Sequence, residues 1–483
     1  MTNGKKFFFD VSWALSSTGV KALIAFLLSI VIGRNLGASD LGLYNLVFSI
    51  YNIGIIIPAF LISSALIKFV SENQKCQDKL DQIISCVSVS NISLSLIISI
   101  VIFFLAKPLS VFFKIPELKN LIKFICIIFP FVAIFQTNIG VLNGLRRMRS
   151  FAFFMILQDV MVFLLTFIFV INGFGVFGVL SGLIFAMAIT ALISFLNIRN
   201  IFTFSFTSFK QNLIEILSFG SKSFCGGIMN EINYRADIVL IGYFLTAKDV
   251  GYYSVAILLS RFFWIFPQSI QKIAYPATTS YWYDNKKAEL QSMITKTMKF
   301  NACIVLFLGL LAIFYVEDII AIAYNKSFLS SISPFLILLT GTLIDGATIR
   351  PINSTLAAIG KPEFSPKVAA AGATINIVLN LFLIPKYGIN GAAIATTISL
   401  IIVVFLNSFY IVKNTNLSLN FSWHISLFIL ALFCIFIFKC LYVFGHLEIR
   451  VFILLFFILI TWNYFLKKED HLFLKKLSKQ LHT

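Results

Sequence analysis

The chain has 483 residues, of which 59% are hydrophobic and 12% are charged, and its 38 Lys and Arg against 20 Asp and Glu give a net charge of +18. Because an ordinary soluble domain is only about 45–50% apolar, this composition excludes a water-soluble fold. Continuous apolar runs of about twenty residues predict transmembrane helices, whereas barrel strands would alternate apolar and polar residues over about ten positions. We therefore predict an all-α integral membrane protein with about 14 transmembrane helices.

Apolar segments follow one another along the whole chain, with short connections between them. The predicted helices lie at residues 11–32, 42–67, 83–106, 121–143, 151–172, 177–197, 213–244, 251–275, 300–322, 331–357, 367–385, 389–412, 422–444 and 450–466. Basic residues concentrate in alternate loops and in the C-terminal tail, as expected of cytoplasmic segments. This bias predicts that both termini lie in the cytoplasm, and it accounts for the net charge without nucleic acid.

A twelve-residue motif occurs twice in the chain. The segment GRNLGASDLGLY at 33–44 recurs 209 positions later as GYFLTAKDVGYY at 242–253, with six of the twelve residues identical. This predicts an internal duplication, with six-helix lobes at 1–212 and 213–413 and two further helices with a basic tail at 414–483. Six helices per copy give both lobes the same orientation, as in parallel-repeat transporters. Asp40 and Asp249 are interpreted as helix caps, and the glycines as tight-turn positions.

Polar side chains inside the predicted spans are candidates for function, because a charged one costs roughly 2.5–3.5 kcal/mol or more near the membrane centre. Lys21 lies near the middle of helix one, and Asn52 in helix two is the repeat equivalent of Arg261. Helix eight carries four polar residues at spacings that predict a single face: Ser254, Arg261, Gln268 and Lys272. We predict that these residues line a substrate cavity shared by the two lobes.

Helix seven presents two polar faces. Lys222, Asn233 and Asp237 cluster on one face, which is the candidate cavity lining. Glu231 and Arg235 lie four residues apart on the opposite face and are predicted to form a salt bridge within the helix.

Arg350, Asp237 and Asp159 are candidates for substrate binding or for ion coupling. Arg350 in helix ten is a cavity candidate, although it is close enough to the cytoplasmic end to snorkel. Asp237 and Asp159, the latter deep in helix five, are candidates for proton or sodium coupling. For all these charges, the alternative interpretation is an ion pair that only holds helices together.

The rest of the chain carries no catalytic or metal-binding pattern. The seven cysteines include no CxxC pair, and the four histidines lack metal-ligand spacing. No phosphate-binding loop or nucleophile constellation occurs. We therefore predict a transporter without catalytic residues, metal or cofactor.

Three motifs carry a resemblance to a known family: GRNLGASDLGLY, NYRADIVLIGYFLTAKDVGYYSVA at 233–256, and LIPKYGINGAAIATTIS at 383–399. The chain resembles the polysaccharide-biosynthesis flippases, the Wzx-like branch of the multidrug/oligosaccharidyl-lipid/polysaccharide exporter superfamily. The resemblance implies a carrier of the cytoplasmic (inner) membrane that moves an undecaprenyl-diphosphate-linked oligosaccharide from the cytoplasmic to the outer leaflet by alternating access. It also implies that helices one, two, seven and eight line the cavity and that helices thirteen and fourteen flank the lipid tail. Lys21, Arg261 and Lys272 would then offset the charge of the diphosphate.

The expected partners are this lipid-linked substrate, membrane lipids and polysaccharide polymerase machinery, with the protein itself a monomer. Two alternatives differ in chemistry. A cation-coupled multidrug exporter of the same superfamily would need acidic residues in its cavity, whereas this chain has net basic stripes. A membrane glycosyltransferase or polymerase would need a long external loop with convergent acids or bases, and every predicted external loop is short.

Overall fold

The computed structural model describes residues 3–59, 64–441 and 447–466, without the side chains of 3–18, 64, 222–234 and 447. The regular structure of these ranges is helical, which confirms the predicted all-α class. In chain order, the helices are α1 (Asn3–Pro58), α2 (Ser64–Glu72), α3 (Gln77–Phe112), α4 (Leu118–Ile125), α5 (Phe129–Gly144), α6 (Met148–Ile171), α7 (Gly175–Ile198), α8 (Phe209–Phe244), α9 (Ala247–Phe262), α10 (Ile265–Tyr283), α11 (Lys287–Phe314), α12 (Val316–Tyr324), α13 (Ile332–Ala347), α14 (Thr355–Ala358), α15 (Phe364–Thr415), α16 (Ser422–Leu441) and α17 (Leu447–Ile460).

Two of these helices are much longer than one membrane crossing, because each consists of two helical segments joined at a bent glycine. α1 has 56 residues and α15 has 52, whereas about 20 residues cross a bilayer. Gly37 within α1 has a φ of 85°, and Gly388 within α15 has a φ of 58°. Residues with a Cβ atom rarely adopt this left-handed conformation. α1 therefore covers predicted helices one and two, and α15 covers predicted helices eleven and twelve.

The predicted number of about 14 membrane-spanning helices is not confirmed by the described residues. Among the described residues, ten helices are long and apolar enough to cross a membrane, or eleven when α9 and α10 are taken as one bent span. These spans make the chain a multi-pass membrane protein. This count takes α1 and α15 as one helix each, although each of them covers two predicted helices on either side of a bent glycine.

The chain folds into two compact units. The first contains Met1–Val255, Ala323–Ser331 and Ile377–Ala392, and the second contains Ala256–Ile322, Ile332–Asn376 and Ala393–Thr483. In the first unit α6 packs against α1 and α7, and α3 packs against α5. In the second, α11 packs against α13 and α16 packs against α17. The predicted lobe boundaries at 212 and 413 rest on the sequence repeat. A division of the chain by its packing does not test a repeat in its sequence, so these boundaries stay a prediction.

Large apolar side chains cover the outside of both units. Phe104 in the first unit and Phe405 and Phe436 in the second are among many exposed aromatic and aliphatic residues. A soluble protein does not expose so much contiguous apolar surface. Lipid is therefore the solvent of these helix faces, as the composition predicted.

Candidate functional site

The two copies of the repeated motif pack against each other at their glycines. A Cβ atom added to Gly42 would lie 1.7 Å from the carbonyl oxygen of Ala247, and one added to Gly251 would lie 1.9 Å from that of Ala38. Ala38 and Gly42 are the repeat equivalents of Ala247 and Gly251, so one contact is the counterpart of the other. Gly42 and Gly251 therefore allow a close approach of two backbones, while Gly37 of the same motif provides a bend between two helical segments.

The second copy of the motif also begins a helix with a capping box. Asp249 Oδ2 accepts hydrogen bonds from the backbone N–H of Thr246 at 3.1 Å and from its hydroxyl at 2.6 Å. In return, the Asp249 N–H donates to Thr246 Oγ1 at 3.3 Å. This reciprocal pattern satisfies backbone donors at the start of α9, and it confirms the capping role predicted for Asp249.

Asp237 is a buried carboxylate of the first unit with two neutral hydrogen-bond donors. Its Oδ2 accepts a hydrogen bond from the Tyr253 hydroxyl at 2.7 Å, and its Oδ1 accepts one from Nδ2 of Asn380 at 2.7 Å. All three side chains are buried. These two hydrogen bonds fix the position of the Asp237 carboxyl group deep inside the unit.

Sequence reasoning missed both partners of Asp237. Tyr253 was noted only as an identical position of the repeat, and Asn380 was not noted at all. A signal for Asn380 exists, because Asn376 and Asn380 lie four residues apart in an otherwise apolar segment and so share a helix face. Nothing local indicates that this face meets Asp237, which lies 143 residues earlier.

Lys21 and Asp159, also in the first unit, act on each other electrostatically. Lys21 is exposed on α1, whereas Asp159 on α6 is buried, and the ammonium group attracts the carboxylate. Asp159 Oδ2 has no hydrogen-bond partner in the described part of the chain. Two residues chosen separately from the sequence, one for binding and one for ion coupling, thus belong to the same part of the first unit.

Among the remaining candidates of helices two and seven, Asn52 and Arg235 have described side chains. Asn52 is half-buried on α1, and its Nδ2 donates to the carbonyl oxygen of Phe48 at 2.6 Å. The Arg235 guanidinium lies over the Phe48 ring, 5.3 Å from its centroid. The side chains of Lys222, Asn233 and Glu231 lie outside the described residues. The predicted Glu231–Arg235 salt bridge therefore stays a prediction.

The segment predicted as one continuous helix eight is broken. α9 ends at Phe262 and α10 begins at Ile265, and the two helix axes are bent by 42°. Ser254 is buried, whereas Lys272 is exposed. The predicted single face assumed one uninterrupted helix, so the break separates the four residues into two pairs.

Two of those residues remain partly exposed on either side of the break. Arg261 lies in the last turn of α9, and Gln268 lies one turn into α10, and both are half-buried. A cationic and an amide side chain thus flank the bend of this span, where neither is sealed in the protein core.

Arg350 is held by neighbours in the second unit and does not extend to the membrane surface. Its Nε donates a hydrogen bond to Asp345 Oδ2 at 2.6 Å, and its Nη2 lies 2.5 Å from the same oxygen in an ion pair. The guanidinium also lies 3.8 Å from the centroid of the Trp264 ring, a favourable cation–π geometry. The side chains of Arg350 and Asp345 are only 15% and 5% exposed. The ion pair with Asp345 therefore replaces the snorkelling that the sequence allowed.

We expect Asp345→Asn to destabilise the protein by about 3–5 kcal/mol, because it leaves the Arg350 charge buried without a counterion. Thermal unfolding of the purified protein in detergent measures this effect. Asp318→Asn is the matched control: Asp318 pairs with Arg450 but is 52% exposed, and an exposed pair contributes about 1 kcal/mol or less. Equal unfolding temperatures for the two variants would contradict the assignment of a buried ion pair.

The described residues contain no group of three or more His, Cys, Asp or Glu side chains arranged to hold a metal ion. The candidate residues are instead single cations and carboxylates, placed in helices with amide and hydroxyl neighbours. Such an arrangement can bind and release charged or polar ligands through hydrogen bonds and electrostatic attraction.

Comparison with known protein families and sequences identifies related proteins. Residues 8–282 match the family model described as polysaccharide biosynthesis protein. The uncharacterized membrane protein MJ1068 of Methanocaldococcus jannaschii is 25% identical over 403 residues, covering 78% of each chain. The "Probable low-salt glycan biosynthesis flippase Agl15" of Haloferax volcanii is 25% identical over 365 residues, covering 74% of this chain and 73% of its own.

Solved structures share the fold at low sequence identity. The lipid II flippase MurJ, in an inward closed conformation, superposes with a TM-score of 0.74 at 16% identity, covering 94% of this chain and 99% of its own. An inward-facing multidrug resistance MATE family transporter of the MOP superfamily gives a TM-score of 0.64 at 16% identity, covering 82% and 94%. The chain therefore has the helical architecture common to these membrane proteins.

Proposed function

Because the chain belongs to the polysaccharide biosynthesis protein family, we propose that it is a flippase for a lipid-linked oligosaccharide. Relatives named as flippases support this class of substrate. In its finer form, the proposal is that the substrate is an undecaprenyl-diphosphate-linked oligosaccharide for cell-surface polysaccharide biosynthesis. A monomer in the cytoplasmic membrane, with both termini inside, moves this substrate by alternating access and supplies polysaccharide polymerase machinery.

Basic side chains in the membrane-spanning helices are the observation that carries the proposal. Lys21 and Lys272 are exposed, and Arg261 is half-buried, so none of the three is sealed in a protein core. A diphosphate headgroup loses hydration when it enters a membrane-spanning protein, and nearby cations offset that cost. This arrangement suits a substrate with an anionic headgroup.

The other candidates have complementary tasks in this proposal. The amides of Asn52 and Gln268 can donate to and accept from sugar hydroxyls. Arg350, whose charge Asp345 balances, offers guanidinium N–H donors from a fixed position, and Lys222 contributes a cation. A lipid-linked sugar has both an anionic and a hydroxyl-rich part, and this set of side chains provides partners for each.

The decisive experiment depletes the protein in its host and follows the lipid-linked oligosaccharide in sealed right-side-out membranes. An impermeant sugar-modifying enzyme reports the fraction that faces outward. We expect the outward-facing fraction to fall and the inward-facing intermediate to accumulate. An unchanged distribution would contradict the flippase proposal.

Cation coupling is proposed at Asp237, with Asp159 as the second candidate. Acidic residues inside membrane-spanning segments mark ion pathways and proton relays, and Asp237 is a buried acid of this kind whose oxygens are held by Tyr253 and Asn380. We expect Asp237→Asn to remove any response of flipping to an imposed proton or sodium gradient in reconstituted vesicles. Glu289→Gln, an exposed carboxylate in the first turn of α11, should leave the response unchanged. A gradient response that survives Asp237→Asn would exclude this site.

The alternative function is a cation-coupled multidrug exporter, which the buried acids Asp159 and Asp237 would suit. It requires efflux of organic cations and no effect of depletion on lipid-linked oligosaccharide. The two proposals therefore differ in the substrate whose distribution changes.

A further inference from the structure

A small polar pocket lies in the first unit, where the end of α2, the start of α3 and the start of α8 meet. Its volume is about 200 Å³, and it is lined by Phe69, Glu72, Asn73, Lys79, Ile83, Asn212, Glu215 and Ile216. None of these residues belongs to the proposed substrate or coupling site. The pocket is smaller than the roughly 300–1,000 Å³ usual for drug-sized ligands. Its occupant must therefore be a small group, and the polar headgroup of a lipid is of that size.

Asn212 indicates that the pocket has a ligand. Its side chain is only 5% exposed, and its Nδ2 has no hydrogen-bond partner among the described residues. A buried amide donor without a partner costs about 1–3 kcal/mol, and such groups are rare enough to need an explanation. An acceptor oxygen bound in the pocket would satisfy Asn212.

Charges of both signs line the pocket without neutralising each other. Lys79 and Glu215 are exposed, and neither has an ion-pair partner in the described part of the chain. Glu72 forms an exposed ion pair with Lys68, which does not line the pocket. Their N···O distance of 3.8 Å is longer than a hydrogen bond, so the Glu72 oxygens can still accept one. Two carboxylates repel a simple anion, whereas Lys79 and the Asn212 donor disfavour a simple cation. A zwitterion matches all four groups. Its ammonium group would donate to the two glutamates, and its anionic oxygens would accept from Lys79 and Asn212.

The surface beside the pocket indicates that this zwitterion is part of a lipid. A groove of about 760 Å³ adjoins the pocket through Glu215, which lines both. It is also lined by Ser208, Phe209, Lys210 and Gln211, and by the apolar side chains of Phe206 and Ile214. These two side chains are 62% and 58% exposed. In a membrane protein, such exposed apolar residues contact acyl chains. The headgroup pocket and the apolar groove thus lie next to each other, as the two parts of a phospholipid do.

The ammonium group should be primary. An –NH₃⁺ group donates hydrogen bonds to carboxylates, which a quaternary ammonium cannot do. A quaternary group would instead need aromatic faces, but the Lys68 ammonium already lies 5.0 Å from the Phe69 centroid and 4.5 Å from that of Phe219. We propose that this pocket binds the phosphoethanolamine headgroup of a membrane phospholipid, whose acyl chains lie along Phe206 and Ile214.

The test is lipid retention. The protein is reconstituted in nanodiscs with equal amounts of phosphatidylethanolamine, phosphatidylcholine and phosphatidylglycerol. Native mass spectrometry then identifies and quantifies the lipids that stay bound to it. We expect at least a tenfold preference for phosphatidylethanolamine over phosphatidylcholine. Glu215→Gln and Asn212→Leu should abolish that preference, while Glu289→Gln should retain it. Glu215 is on the surface, so its substitution leaves the fold intact even where Asn212→Leu does not.

Two results would overturn the proposal. One is a wild-type protein without a preference for phosphatidylethanolamine, or variants that retain it undiminished. The other is stabilisation by soluble phosphoethanolamine in detergent without retention of the lipid, which would make a free metabolite the ligand. The readout is lipid binding and not flipping, so it stands or falls independently of the proposed function.

Discussion

Arg261→Glu is expected to reduce flipping of the lipid-linked oligosaccharide at least about a hundredfold at normal membrane levels. A hundredfold loss corresponds to about 2.7 kcal/mol, and two unit charges 4 Å apart near a protein surface already interact by about 4 kcal/mol. Reversing the charge replaces attraction of the diphosphate by repulsion. The measurement is the rate at which the substrate becomes reachable from outside in reconstituted vesicles.

Two further variants define what this result means. Arg261→Lys keeps the charge but loses the planar guanidinium, so partial activity is expected. Lys386→Glu makes the same change of charge sign at an exposed position of α15, and it should leave flipping unaffected. Full activity of Arg261→Glu would remove Arg261 from the substrate site, whereas equal losses in Lys386→Glu would point to a general effect of net charge.

Gly251→Ala is expected to destabilise the protein by about 5 kcal/mol or more, which is at the extreme of single substitutions. The new methyl group would lie 1.9 Å from the carbonyl oxygen of Ala38. This neighbour is backbone, so it cannot move aside as a flexible side chain would, and the two helices must separate. Gly42→Ala should have a similar effect, because its Cβ would lie 1.7 Å from the carbonyl oxygen of Ala247.

The amount of folded protein in the membrane and its unfolding temperature in detergent measure this loss. Gly19→Ala is the matched control, since Gly19 lies in α1 with nothing within 4 Å of an added Cβ. Alanine is favoured over glycine in a helix by about 1 kcal/mol, so Gly19→Ala should be neutral or stabilising. Normal stability of both Gly42→Ala and Gly251→Ala would show that the repeat glycines do not form a close helix contact.

Asp237 illustrates where prediction from sequence ends. Its place in an apolar helix identified it as an unusual buried charge, because hydrocarbon penalises charge wherever it occurs. Its hydrogen bond with Asn380 depends on where α15 returns to the first unit, because this return places Asn380 next to a residue 143 positions earlier in the chain. No local pattern encodes that return.

The same limit applies to helix eight and to Arg350. Spacing along the chain predicted one polar face, but the bend between Phe262 and Ile265 interrupts it. Arg350 was predicted to line the cavity, with snorkelling to the nearby cytoplasmic end as the other possibility. Its actual neighbours are Asp345 and Trp264, and the Trp264 contact forms only when α10 packs beside the segment that follows α13.

The sequence by itself determined that the chain is a helical, multi-pass membrane protein with a duplicated motif, because partition into lipid depends on composition and on runs of apolar residues. It also determined which charges are exceptional. Only the tertiary structure decided that Gly42 and Gly251 meet the opposite copy of the motif. It alone also decided that Asp345 neutralises Arg350 and that Asn212 lines a pocket with Glu72 and Lys79. These contacts join segments distant in sequence, and packing selects them from many arrangements with the same hydropathy.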